Sequence, residues 1–364
     1  MTKKEKAMRR VSVEELEPGM VLARPVYSPS GDPLINQGVE LRENYIKKLQ
    51  RMGQNGVYIE DERLEGVEVE EVVSEESKIS AKRILNNVLK DESRQYFLEK
   101  TDKSLLQAVE KIIDEVLTKE NVVVDLYDVK TSDSYTHDHS LSVSILSLIT
   151  GKKMNLSHDE LVELALGSLL HDVGIKEIST NILDKKEPLT KEELDIIKEH
   201  TLIGYNIFKG THLFCEEAGS IILQHHERYQ GHGYPFGLQE NEINRFAQLV
   251  SIADVYDAAT STRPYRKAYK PHEAINMLKS LSGIDFNQEL LNVFLDFVPA
   301  YPVGTHVILN NGESGLVIGN KAGETDRPKV RILYESENRI FMPHPQPYDI
   351  DLSLKPTIKV IGVR

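Results

Sequence analysis

Across the first sixty residues the apolar positions fall in short runs, Met20-Val-Leu-Ala and Gly56-Val-Tyr-Ile, with Gly31-Asp-Pro between them. Runs of that length bounded by turn residues predict strands, and the intervening segment Arg42–Met52 predicts one short helix. From about residue 78 to 300 the pattern lengthens to a helical period. Ser157-His-Asp-Glu160 and Thr190-Lys-Glu-Glu193 each place a hydroxyl three residues ahead of a carboxylate, just before an apolar run. The reciprocal hydrogen bonds of a capping box start a helix at such a place. The first box leads into Leu161, Leu164, Ala165 and Leu169, the second into Leu194, Ile197, Ile203 and Ile207. No strand–helix alternation and no glycine-rich phosphate loop interrupts the stretch. After Pro299 the runs shorten again: Val303–Leu309, Gly315–Gly319, Lys329–Leu333 and Ile358–Val363 are β-rich and broken by Asn-Gly, Ala-Gly and Pro.

The predicted fold class is therefore multidomain, an all-α helical bundle flanked by small β-rich modules. Residues 1–72 form the N-terminal module, 73–129 a helical linker or leading helices, 130–300 the main helical domain and 301–364 a C-terminal sheet or small barrel. The composition agrees: 364 residues, 40% hydrophobic and 28% charged, can bury several cores and exclude a wholly disordered or fibrous chain. Lys and Arg total 44 against 57 Asp and Glu, a net charge of −13. That sign argues against duplex nucleic acid, which needs a broad cationic face, and leaves small anions open. Nine of the acids lie between Glu60 and Glu76 with Arg63 as the one cation, which reads as a solvated linker. The single cysteine, Cys215, fits a reducing compartment. The start MTKKEKAMRR lacks the apolar core of a secretory signal, and no apolar run has the length and purity of a transmembrane segment. The expected location is cytoplasmic.

The chemistry-bearing residues are concentrated in the helical stretch. His139, His171-Asp172, His200, His225-His226 and Asp254 each sit on a segment that is otherwise apolar. Val143 follows His139 by one turn, Ile197 precedes His200 by one turn, Ile221 and Ile222 precede the histidine pair by four residues, and Val250 precedes Asp254 by four. Spacings of three and four place side chains on one helical face, so each helix aims an imidazole or carboxylate at the core. A single such histidine is most simply a hydrogen-bonded core residue. Five histidines and two aspartates on successive segments need a common partner, because burying them unsatisfied costs several kcal/mol. Imidazole and carboxylate together suit first-row divalent ions. Two histidine-rich sets sharing an aspartate predict two ions about 3.5–4 Å apart, the arrangement of phosphate-ester hydrolases.

Six motifs occur in order: Leu169-Leu-His-Asp-Val-Gly174, His200-Thr-Leu-Ile-Gly204, His225-His-Glu-Arg228, Gly231-His-Gly-Tyr-Pro235, Ile252-Ala-Asp-Val-Tyr-Asp-Ala258 and Arg263-Pro-Tyr-Arg266. Over about residues 130–300 the chain closely resembles the HD-GYP subgroup of the HD superfamily of metal phosphohydrolases. The resemblance implies hydrolysis of the bacterial second messenger cyclic di-GMP to pGpG, and on to GMP in some cases. It assigns His139, His171, Asp172 and Asp254 to one metal and Asp172, His200, His225 and His226 to the other, with Asp172 bridging. It implies a bridging hydroxide that attacks phosphorus in line, with iron or manganese as the first choice of ion and zinc, magnesium, nickel or cobalt as others. Arg263 and Arg266 match positions that contact substrate phosphate, and their fork geometry suits its oxygens. Gly233, Tyr234 and Pro235 shape a loop beside the site that is also implicated in contacts with diguanylate cyclases. A homodimer is a further expectation.

Two departures qualify the match. Most members follow His-Asp-x-Gly with a lysine that assists at phosphate; here Ile175 stands there and Lys176 comes next, about 100° further round a helix. Lys176 takes that catalytic role if the segment after Gly174 is irregular, and is a solvated lysine otherwise. Some relatives carry a carboxylate one turn before the first histidine; here it is Tyr135, with Asp133 and Asp138 at the wrong angle, so two metals are expected. Gln230 replaces an aspartate common before the loop, and His137 and His232 are left out as ligands. Two other functions stay open: a non-catalytic cyclic di-GMP-binding or protein-interaction module, and a hydrolase of another cyclic dinucleotide such as cyclic GMP-AMP.

Overall fold

A computed structural model describes residues 7–28, 33–52, 54, 56–67, 71–90, 94–119, 123, 135–183, 185, 187–261, 268–337 and 340–363. The chain opens with β1 (Met8–Ser12), β2 (Val26–Tyr27), β3 (Pro33–Ile35), α1 (Glu43–Arg51) and β4 (Gly56–Glu60). β1 pairs antiparallel with β4, and β2 with β3. Alternating Val11, Val57 and Ile59 join Leu22, Ile35, Leu41 and Leu49 in a small core. The run Met20–Ala23 contributes only single bridges, Val21 to Glu40 and Leu22 to Ile59, and of the expected turn Gly31 and Asp32 lie outside the described residues.

Part of the acidic run is solvated as expected, at Glu62, Glu65 and Glu76, and part of it is engaged. Glu60 ends β4, and Asp61 is buried with its Oδ2 at 2.6 Å from both Arg9 and Arg63. Burial opposes its charge, but the hydrogen bonds from Arg63 and Arg9 hold the carboxyl below its ordinary range. Glu71 pairs with Arg24, and Glu75 and Glu76 open α2 (Glu75–Lys90), where they meet the positive end of the helix dipole. Each of these engaged acids has a local partner, which a charge count along the sequence does not reveal.

Next come α3 (Arg94–Thr118), α4 (Tyr135–Lys153), α5 (His158–Leu170), a 3-10 turn at Val173–Glu177, α6 (Thr180–Leu183), α7 (Lys191–Lys198), α8 (His200–Lys209), α9 (Glu216–Gln224), α10 (Arg245–Thr260), α11 (Pro271–Ser280) and α12 (Gln288–Leu295). Both expected capping boxes form, at Ser157 and at Thr190. α4 is buried along 138–151 and packs against α5 and α10. α2 and α3 are part of the same body: Ala81, Leu85, Val109, Ile112 and Val116 enter the core that holds Leu141, Ile145 and Leu164, and Lys82 Nζ lies 2.8 Å from the buried Asp138. The run after Thr190 divides at Glu199, and α7 buries no residue; Leu194 is 44% exposed. The helical start was legible there, but the inward face was not, because α7 packs mainly along the edge formed by α6 and α8. No described helix is long and apolar enough to cross a membrane.

β5 (His306–Leu309), β6 (Glu313–Gly319), β7 (Lys329–Glu337), β8 (Ile340–Asp351) and β9 (Val360–Val363) form an antiparallel sheet in the order β8-β7-β6-β5-β9. β8 was not anticipated, because Pro343, Pro345 and Pro347 argue against a strand. Its place at the sheet edge resolves the conflict, since an edge strand has a row of backbone groups with no neighbour to receive an N–H. The terminal modules touch: Arg331 Nη1 donates to the carbonyls of Arg63 (3.1 Å) and Glu65 (2.9 Å), while Asp349 holds its Nε at 2.9 Å.

The box at Ser157 carries a direct test. Ser157→Ala removes the hydroxyl that receives the Glu160 N–H, and should lower stability by about 1 kcal/mol, read as a smaller urea midpoint of the helical signal.

Candidate metal centre

Backbone contact, more than side-chain reach, assembles the site. His171 ends α5 and Asp172 leads into the 3-10 turn, which lies directly on the start of α8. A Cβ on Gly174 would stand 2.0 Å from the His200 carbonyl oxygen and 2.7 Å from the Gly204 nitrogen, so only glycine admits this approach. The contact carries His171-Asp172 up to His200. α9 delivers His225 and His226 from its C-terminal end, α4 brings His139 from its first turns and α10 brings Asp254 from its middle.

The seven predicted residues converge into two groups that could each hold a metal ion, His139, His171 and Asp254 in one, Asp172, His200, His225 and His226 in the other. Asp172 faces both. Its Oδ2 lies 3.3 Å from His171 Nε2 and 3.9 Å from His139 Nε2, while its Oδ1 lies 3.5 Å from His200 Nε2 and 3.8 Å from His225 Nε2. Asp254 Oδ1 is 3.1 Å from His139 Nε2, and its Oδ2 is 3.9 Å from His226 Nδ1. The site opens to solvent at Asp172 and His226, about one-fifth exposed each, while the other four imidazoles are buried.

The donor chemistry fits cations. The Nδ1 atoms of His171, His200 and His225 lie 2.7 Å from Ser168 O, 2.7 Å from Ile197 O and 3.0 Å from Ile222 O. A carbonyl can only accept, so Nδ1 carries a proton, and whenever the ring is neutral Nε2 presents its lone pair inward. In that form His200 Nε2 and His225 Nε2 face each other at 3.4 Å as two acceptors, and buried His171 Nε2 makes no well-formed hydrogen bond. Lone pairs converging on a shared carboxylate, each ring fixed by its second nitrogen, are what a histidine–carboxylate metal site requires.

Protonation preferences divide the rings. Burial lowers His225 far below its ordinary value, reinforced by His226, His171 and His200, and burial likewise takes His226 down to about 3. Both rings are thus held neutral, as ligands must be. Burial also opposes charge on His139, but hydrogen bonds to Asp254 and Asp257 outweigh it and raise the ring to about 9. His171 is raised as well, burial there being outweighed by Asp172, so these two rings give up a proton when they act as ligands. Asp172 and Asp254 stay ionised: burial works against them, yet the surrounding histidines, His171 first for Asp172 and His139 first for Asp254, hold both well below the usual carboxylate range.

The loop at 231–238 folds over this cluster. A Cβ on Gly233 would meet Arg228 N at 2.4 Å and His226 O at 2.5 Å, so the loop crosses directly above the histidine pair. Tyr234 donates its N–H to His226 O at 3.2 Å, and its ring stacks on His226 with centroids 4.7 Å apart. The Tyr234–Pro235 peptide is cis. Burial raises the Tyr234 phenol, and the charges of Asp172 and Asp254 raise it further.

Of the other expected residues, Lys176 lies half-buried on the irregular 3-10 turn after Gly174, the condition under which it could serve the site. The segment with Arg263 and Arg266 lies outside the described residues, as does Asp133. Asp138 is engaged by Lys82, and His232 Nε2 lies 2.9 Å from Asp285, so both point to other partners. Gln230 donates its side chain to Gly283 O at 2.9 Å. Two contributors escaped the sequence reading. Asp257 accepts from His139 Nδ1 at 2.6 Å, and its position three residues after Asp254, on the same helical face, was the available signal. The other is buried Glu227, which nothing local in the sequence distinguishes from a surface acid.

Asp257→Asn weakens the anchor of His139 and should lower affinity for a divalent ion in that group by about 10–100-fold, with the other group spared, as read by calorimetric titration of the metal-free protein with Mn²⁺.

Comparison with known proteins agrees with this geometry. A cyclic di-GMP phosphodiesterase of Pseudomonas aeruginosa is 33% identical over 239 residues, covering 65% of this chain and 56% of the relative. One from Thermotoga maritima is 36% identical over 212 residues, covering 58% and 56%. A 3′3′-cGAMP-specific phosphodiesterase of Vibrio cholerae is 31% identical over 170 residues, covering 46% and 38%. The chain spans about half the length of the curated relatives it matches. Residues 306–363 match the family described as a KOW domain associated with HD domain. Residues 102–290, more than half of the chain, match the family described as HD domain, and with two histidine–aspartate groups meeting at Asp172 the chain belongs to the HD domain family.

Proposed function

We propose that this protein is a metal-dependent phosphodiesterase that hydrolyses cyclic di-GMP to pGpG, and on to GMP, with two divalent ions, iron or manganese. The observation that carries the reading is Asp172, whose two oxygens face separate histidine sets at 3.3–3.9 Å. When bound, the ions supply the positive charge that lowers the pKa of a water nucleophile and offsets charge developing on the phosphoryl oxygens. The chain's own part is to hold them: His139, His171, Asp172 and Asp254 for one, Asp172, His200, His225 and His226 for the other. Neutral His225 and His226 and ionised Asp172 and Asp254 support that role, because no proton must be displaced from any of the four before binding. The opening at Asp172 and His226 gives a dianionic substrate its approach, with Tyr234 on the rim. Arg263 and Arg266 would hold phosphate oxygens, and Lys176 would reach the leaving side from the 3-10 turn. The loop at Gly233, Tyr234 and Pro235 doubles as a contact for a diguanylate cyclase, and the enzyme acts as a homodimer.

A second reading keeps the chemistry and changes the base, to 3′3′-cGAMP. It is favoured by the Vibrio cholerae relative of that specificity.

Protein purified anaerobically and supplied with Mn²⁺ or Fe²⁺ should convert cyclic di-GMP to pGpG, lose turnover on chelation and regain it on metal return. Asp172→Ala should reduce kcat at least a thousandfold, since it removes a ligand from both ions. Binding of cyclic di-GMP without hydrolysis under either metal would overturn the catalytic reading in favour of a binding module. Faster turnover of 3′3′-cGAMP in direct competition would select the second substrate.

A further inference from the structure

Four of the five clustered histidines are held by their second ring nitrogen. His171, His200 and His225 use backbone carbonyls and His139 uses Asp257. His226 is the exception: its ring nitrogens make no hydrogen bond among the described residues, and its Nδ1 is 3.9 Å from Asp254. It is also the most exposed ring of the five. A ligand with a free torsion loses affinity each time it must be ordered, so something else must orient this ring.

Tyr234 covers it. The two rings are nearly parallel, 26° apart at a centroid distance of 4.7 Å. Tyr234 itself sits on a loop whose tip is open to solvent, Phe236 being 57% exposed, and Gly231 and Gly237 on either side adopt positive φ. Such a loop needs a tether, and Glu227 is placed to be one. The residue is 2% exposed, Oε1 accepts the Phe236 N–H at 2.7 Å and Oε2 accepts the Leu238 N–H at 3.0 Å. No cation of the described residues pairs with it. A buried carboxylate without a counter-ion is costly, and both of its oxygens are committed to the loop that carries Tyr234. Gly233 closes the clamp from the other side, lying against Glu227 Cα and the His226 carbonyl.

We infer that Glu227 is a positioning residue for His226, acting through the 231–238 loop and the Tyr234 ring, and so sets the affinity of the second metal group. This rests on the reading that the two groups hold metal ions. It does not depend on which ester is cleaved.

The test is Mn²⁺ binding to the metal-free full chain, followed by calorimetry and by the electron paramagnetic resonance of bound Mn²⁺. In Glu227→Gln the amide NH2 replaces one acceptor and faces a backbone donor. One of two Mn²⁺ sites should weaken about tenfold while the other keeps its affinity, which shows the fold intact. Tyr234→Ala should weaken the same site, the double variant should be no worse than Tyr234→Ala alone, and Tyr234→Phe, which retains the ring, should bind like the parent. Hydrogen exchange at the Phe236 and Leu238 amides should accelerate in Glu227→Gln. Faster exchange at those amides with both Mn²⁺ affinities unchanged would overturn the inference, as would additive losses in the double variant. Failure of the parent to bind a second Mn²⁺ would remove its premise. Absence of cyclic di-GMP hydrolysis with two Mn²⁺ sites intact would count against the proposed substrate alone.

Discussion

One carboxylate has to be in two places at once. Asp172 presents one oxygen to His139 and His171 and the other to His200 and His225, all within 4 Å. Elements far apart in sequence must therefore meet at a point. The demand explains why the 3-10 turn after Asp172 lies on the bare backbone of α8, an approach closed to any residue but Gly174. It explains why α4, which brings His139 from the other side, is buried along 138–151, since a helix packed all round cannot shift without disturbing its neighbours. It also explains why most of the imidazoles are pinned at Nδ1, because a ring free to rotate would not keep its lone pair on target.

The same point sets the electrostatics. Acids outnumber bases in the chain as a whole, yet the charge that matters is local: Asp172 and Asp254 are held ionised by the surrounding histidines, while His225 and His226 are held neutral by burial. Divalent cations complete such a set, and a cationic centre can then attract an anionic ester whatever the surrounding surface carries. Much of the acidity that dominates the count is occupied elsewhere, as at Asp61 between two arginines and at Glu71 beside Arg24.

Features that act locally were legible in the sequence, and features that depend on a distant partner were not. The capping boxes at Ser157 and Thr190 need only four residues each, and both formed. His139, His171, Asp172, His200, His225, His226 and Asp254 were found because helical spacing places each beside apolar neighbours. β8 was hidden because its prolines are tolerable only at an edge, and edge position belongs to the whole sheet. The outward face of α7 was hidden because apolar residues read as inward whatever lies beyond them. Asp257 and Glu227 were hidden for a related reason: their value lies in what they hold, the ring of His139 and the loop at Phe236 and Leu238.

The contact between the terminal modules bears on how the chain comes to be folded. Arg331 meets the carbonyl of Arg63 across 268 residues of sequence. On a ribosome, the N-terminal module emerges first and must wait, with those carbonyls still solvated, until the whole helical body and most of the last sheet have been made. The contact closes a large loop, a kind of contact that is slow to form in any chain. The contact between these two modules can therefore form only on a molecule in which the histidine-bearing helices between them have already been synthesised.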